Sequence, residues 1–186
     1  MQENLLKKKD KFIPQVQLVL HTKIAQSLFD GSWDYHKMGL MQFTEVVKSL
    51  YKLAKQDDPY ANGYLTQIRE RITVLREQLK KTEIYCQEKI SKLRGLEIEI
   101  FSNPTPTKLP LRFSTPLNYM AAYLLSDLDY VLRQSYTLKH LGIELEKGRF
   151  SLTPFVRKLH ELFAQPRKWK CRKVSGQNVG NYNQRA

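Results

Sequence analysis

Along residues 60 to 94, Leu65, Ile68, Ile72, Leu75, Leu79 and Cys86 recur at steps of three and four, the spacing that keeps side chains on one face of an α-helix. Thr82 and Lys89 occupy the same register, so the apolar seam is firm for about two heptads and weak beyond them. A helix over the whole span would reach roughly 50 Å at 1.5 Å per residue, longer than a compact domain of this size needs. The pattern predicts one arm of a helical hairpin. The other arm starts after Pro116, where Leu117, Met120, Ala121, Leu124, Leu125, Leu128, Val131, Leu132 and Leu138 cover more than half of a helix circumference. Such a helix is buried on several sides, acts as the central rod of the core, and ends at Gly142. Between the arms, Pro104, Pro106, Pro110 and Pro116 mark a linker or irregular clasp that turns the chain back.

Two shorter patterns precede the hairpin. In PQVQLVLHT, Val16, Leu18 and Leu20 alternate with Gln15, Gln17 and Val19, which is the period of a strand. Thr22 is placed to cap a short helix running to about Phe29, and the glycine of DGSWD ends it. From Leu40 to about Gln56, Phe43, Val46 or Val47, Leu50 and Leu53 define an amphipathic helix. Asp57 or Asp58 then caps the long helix, with Pro59 in its first turn. Near the other end, SLTPFVRKLHELFAQP predicts one more short capped helix.

Length and composition place these elements in one domain: 186 residues, 41% hydrophobic and 26% charged, suit a folded middle. The charge changes the picture. The formal net charge is +13, and residues 149 to 186 hold nine Lys or Arg against Glu161 alone, so 9 − 1 = +8 of it lies there. A field of that sign recruits polyanions, with nucleic acid first, an anionic membrane surface second and an acidic protein third; a solubilising tail is the plainer reading. Residues 1–12 read as a lysine-rich arm and 166–186 as a basic tail that is disordered on its own. The N-terminus lacks the apolar core of a signal peptide and no apolar stretch approaches the ~20 residues that span a bilayer, so a cytoplasmic protein is expected, with no membrane contact. Cys86 and Cys171, in unlike contexts, suit free thiols.

Chemistry leaves little trace. His21, His36, His140 and His160 stand apart from any second ligand at metal spacing, and no glycine-rich phosphate loop occurs, so neither a metal nor another cofactor is expected. Asp127 and Asp129 are two residues apart on a helix, about 200° around its axis, and point away from each other. Ten tyrosines raise the question of a tyrosine nucleophile for strand transfer, but no histidine stands in a His-x-x-Arg element or a His cluster. No enzyme is predicted and no catalytic residue is named.

Three blocks in this order carry a resemblance: VQLVLHTKIAQSLFDG (16–31), AKQDDPYANGYLTQIRERI (54–72) and LPLRFSTPLNYMAAYLLSDLDYVLRQSYTLKHLGI (109–143). They resemble the AcaB-like family of proteins encoded on integrating conjugative elements and conjugative plasmids. The resemblance implies a ribbon-helix-helix-like regulator, in which a strand from each of two subunits pairs antiparallel and lies in the DNA major groove. The matching strand is Gln15 to His21, followed by helices from Thr22 and from Leu40. Its face opposite Val16, Leu18 and Leu20 would then meet the bases. Gln15 and Gln17 suit adenine, because an amide donates and accepts at once, and Val19 offers a methyl contact. The same strand fits equally an edge strand or clasp packed on the helical core. Phosphate contacts would fall to Lys9, Lys11, Lys23, Arg167, Lys168, Lys170, Arg172 and Lys173.

The expectation is therefore a mainly α protein with an N-terminal strand and a ribbon-helix-helix-like part (13–57), a helical hairpin (58–143) and a short helix (150–165) in one domain over 13–165. As function it predicts a DNA-binding regulator of conjugative transfer genes, acting as a homodimer on double-stranded DNA, with a second regulatory or transfer protein as a further partner. The alternative is a non-enzymatic helical interaction module of the conjugation or excision machinery.

Overall fold

The computed structural model describes residues 16–31, 38–143, 145 and 152–168. Expectations for the N-terminal arm, for Gln15 and for the tail beyond Lys168 lie outside these residues.

Strand β1 (Val16–Leu20) pairs antiparallel with β2 (Thr107–Leu111), from Val16 opposite Leu111 to Leu20 opposite Thr107. Alternation sorts the two faces: Leu18, Leu20 and Leu111 are buried, while Gln17, Lys108 and Pro110 are exposed. β2 lies inside the stretch expected to be a linker. Pro110 cannot donate to a ladder, and its place on an outer strand of a two-stranded sheet removes the conflict. The partner seen on this edge of β1 is β2 of the same chain, whereas the resemblance implies a strand from a second subunit.

The helices form where their caps and patterns place them. Helix α1 (Lys23–Asp30) starts at Thr22, whose Oγ1 accepts from the Ala25 N–H at 3.2 Å, and closes at Gly31, where φ is 60°. Helix α2 (Leu40–Ala54) buries Phe43, Val47 and Leu50. Asp58 caps α3 (Pro59–Ser91) by accepting from the Tyr60 and Ala61 N–H groups at 2.9 and 3.0 Å. Thr115 caps α4 (Pro116–His140), and α5 (Leu152–Ala164) runs into a 3-10 turn, Gln165–Lys168. The predicted seam of α3 is buried from Leu65 to Leu79 and at Cys86, while Thr82 and Lys89 are only half-buried. α4 is the rod: Leu117, Ala121, Leu124, Leu125, Leu128, Val131, Leu132 and Leu138 are all buried.

The two long helices pack side by side, but in the same direction. Ile72 and Thr73 share a cleft with Met120, Arg76 pairs with Asp127, and Lys80 and Glu83 share the next cleft with Tyr130 and Arg133. Arms of a hairpin would run in opposite directions. Here residues 92–115 make the return, passing Thr137 at Phe101 before β2 brings the chain back to the start of α4. A chain of that length at about 3.3 Å per residue is long enough to run back along a helix, so no tight turn is required. The same return explains the intramolecular ribbon, since it carries β2 past β1.

Candidate nucleic-acid interface

The outward face of the ribbon carries Gln17, Val19, Lys108 and Pro110, because cross-strand partners share a face: Gln17 sits opposite Pro110, and Val19 opposite Lys108. Gln17 and Lys108 are exposed and Val19 is half-buried. Inside, Leu18 and Leu20 join the core, so the strand is at once packed on the helices and open on its other side.

What holds the ribbon in place is Asp129 of α4. Only 2% exposed, its carboxylate accepts from the Thr22 N–H and the Thr22 hydroxyl, both at 2.8 Å, and from the His21 N–H at 3.1 Å. These donors lie at the junction of β1 and the first turn of α1, where a helix leaves N–H groups without intrahelical partners and favours negative charge. One buried charge is thus satisfied by three donors, and it locks strand, cap and rod together. Asp127, on the other side of the helix, pairs with Arg76 at 2.7 Å at the surface. The two aspartates point apart as predicted, and neither is free to act as a base.

Beside Val19 and His21 opens a cleft of about 460 Å³, bounded on α4 by Tyr130 and Arg133 and on α3 by Lys80. Its cations already have partners: Lys80 meets Glu83 at 2.9 Å, and Arg133 Nε donates to the Phe101 carbonyl at 2.6 Å. Arg133 also lies over the Tyr130 ring, 5.9 Å from its centroid. Such a mixed, open surface lacks the convergent unpaired groups of a catalytic pocket. Among the described residues no cluster of His, Cys, Asp and Glu is placed to hold a metal.

Of the residues the sequence singled out, Gln17 and Val19 stand on the outward face, and Lys23 is exposed at the first position of α1. Arg167 and Lys168 fall in the 3-10 turn. That turn is anchored elsewhere: Tyr64 Oη donates to the Gln165 carbonyl at 2.5 Å and Arg71 Nη1 to Gln165 Oε1 at 2.7 Å, near the start of α3. Lys9, Lys11, Gln15, Lys170, Arg172 and Lys173 lie outside the described residues. Lys108 and Asp129 were missed. TKLPLRF does alternate, with Lys108, Pro110 and Arg112 on one side, but its proline obscured the period. Nothing in the sequence distinguishes Asp129 from Asp127, because its donors are more than a hundred positions away.

A mainly helical body bearing a small antiparallel ribbon is a fold already seen in a regulator. The crystal structure of selenomethionine-containing AcaB from uropathogenic E. coli matches with a TM-score of 0.59 at 16% identity, over 80% of this chain and 72% of that one, a likeness that shows the shared fold. The family described as transcriptional regulator AcaB matches residues 11–186, and the chain belongs to that family. No curated protein sequence matches it. The resemblance carried by the three sequence blocks is therefore borne out, and with it a mainly helical fold with a small N-terminal sheet. Among the described residues, no helix is long and apolar enough to cross a membrane.

Proposed function

We propose that the protein is a DNA-binding transcriptional regulator of conjugative transfer genes on an integrating conjugative element, and that the outward face of its ribbon reads DNA. The observation that carries this reading is the ribbon itself, with Gln17 and Lys108 exposed on one face and the other face packed into the core and pinned by Asp129. A two-stranded ribbon fits the major groove, and an exposed glutamine is equipped for adenine. Gln15, two positions before Gln17 in the sequence, is the second base-reading candidate in this reading. A homodimer would present two such ribbons to a two-fold operator.

Lys9, Lys11, Lys23, Arg167, Lys168, Lys170, Arg172 and Lys173 contribute phosphate contacts in this reading. They raise affinity without adding sequence information, and each neutralised phosphate adds about 0.9 to the salt slope. No catalytic step and no cofactor is involved.

Fluorescence anisotropy with duplexes from upstream regions of the element and with shuffled controls, at two salt concentrations, tests the proposal. A preference of about a hundredfold that persists at the higher salt is expected. Equal and steeply salt-dependent binding to all duplexes would overturn sequence reading and favour the helical interaction module instead.

A further inference from the structure

Residues 96–101, LEIEIF, have the alternation of a strand but, among the described residues, no strand beside them. From Glu97 on, exposure follows the period: Glu97 and Glu99 are exposed, Ile98 and Ile100 half-buried, and Phe101 45% exposed, whereas Leu96, 62% exposed, stands outside it. Among the described residues, nothing hydrogen-bonds to the backbone of Leu96 through Ile100. The first fixed point is Phe101, whose N–H donates to Thr137 Oγ1 at 2.8 Å and whose ring meets Tyr136 edge-on at 6.0 Å. Ile98 and Ile100 turn toward the molecule, and the other side presents two carboxylates and part of the Phe101 ring next to backbone groups that have no hydrogen-bond partner among the described residues. Such an edge is a template for an added strand, and its charges select one with cations at every second position.

We propose that this edge takes the N-terminal arm of a second copy of the chain as an added strand, with Lys7, Lys9 and Lys11 facing Glu97 and Glu99. The arm reads LKKKDKFI, so these lysines repeat with the required period and Ile13 continues it toward an apolar neighbour such as Phe101. In the register that sets Lys11 against Glu99 and Ile13 beside Phe101, its own chain cannot supply the arm. From Val16, β1 runs about 13 Å toward His21 at about 3.3 Å per residue, His21 Nδ1 meets Ser102 Oγ at 3.2 Å, and Glu99 lies beyond Ser102. Lys11 leaves from the opposite end of β1 and stays within roughly 17 Å of Val16 even when fully extended. Two copies of the edge pairing with each other would set glutamate against glutamate, which is unfavourable. The C-terminal run is also basic, but its first cation in the pattern, Lys168, is already part of the 3-10 turn.

The test uses the full chain without DNA, because Lys9 and Lys11 are also phosphate contacts in the DNA-binding proposal and DNA would compete for them; self-association can then fail without that proposal failing. Sedimentation should show self-association at micromolar concentration and low salt, weakened about tenfold by Glu97→Lys with Glu99→Lys, and equally by Lys9→Glu with Lys11→Glu. The four substitutions together should restore it. Hydrogen exchange should show protection of residues 96–100 that grows with protein concentration and disappears when residues 1–12 are removed. A chain that stays monomeric, a quadruple variant that does not recover, or protection lost on removing residues 169–186 but kept without 1–12 would overturn the inference.

Discussion

Asp129 and Asp127 are the same residue type, two positions apart, with opposite environments. Asp129→Ala would leave the buried Thr22 N–H and hydroxyl and the half-buried His21 N–H without their acceptor, and a loss of about 2 to 4 kcal/mol in urea unfolding is expected. Asp127→Ala breaks an ion pair whose side chains are 54% and 37% exposed, so less than about 1 kcal/mol is expected from the same measurement. Cys86 shows burial acting on a proton. Fully buried, its thiol is pushed up from 9.0 to about 11 by desolvation. The unfolded chain releases that proton near its ordinary value while the folded chain retains it, so stability present below pH 9 is lost as pH rises toward 11. Burial also raises the Tyr136 phenol, helped by the charge of Asp129, and its contribution falls in the same direction. With Cys171→Ser in place, native protein at pH 8 should not react with a thiol reagent, and unfolding should expose one reactive group.

At the scale of elements, the junction of α1 and α2 rests on two glycines and a glutamine. A Cβ on Gly31 would run into the backbone of Gly39, and the φ of 60° with a ψ of −166° at Gly31 suits glycine alone. Gln42 bridges the helices, accepting from the Gly39 N–H at 2.9 Å and donating to the Asp30 carbonyl at 2.9 Å. Gly31→Ala should therefore cost roughly 3 kcal/mol or more, read as a lower midpoint in thermal or urea unfolding with the helical signal of the native state retained. Periodicity and caps sufficed for α1 to α5, since these depend on residues three or four positions apart. β2 was hidden because a strand's partner is remote in sequence and the prolines of its neighbourhood argued for a linker. The direction of α3 against α4 was equally hidden: both directions bury the same apolar stripes, and the return of residues 92–115 decides between them.

For the whole molecule, charge and shape divide the expected work. Gln15→Ala with Gln17→Ala should abolish sequence preference in anisotropy titrations and leave the non-specific, salt-dependent term, whereas truncation after Pro166 should lower that term and spare the preference. Equal loss of both terms in both variants would contradict this division. Gln17 and Val19 were legible as an outward pair because a strand alternates, but their neighbour Lys108 and their anchor Asp129 became visible only in the assembled fold. By itself the sequence determined the helices, their caps, the strand at the N-terminus, the buried rod and the family, all set by local spacing or by ordered blocks of residues. Only the tertiary structure decided the partner of β1, the direction of the long helices and the role of Asp129, because each depends on contacts between residues that chain connectivity alone does not bring together.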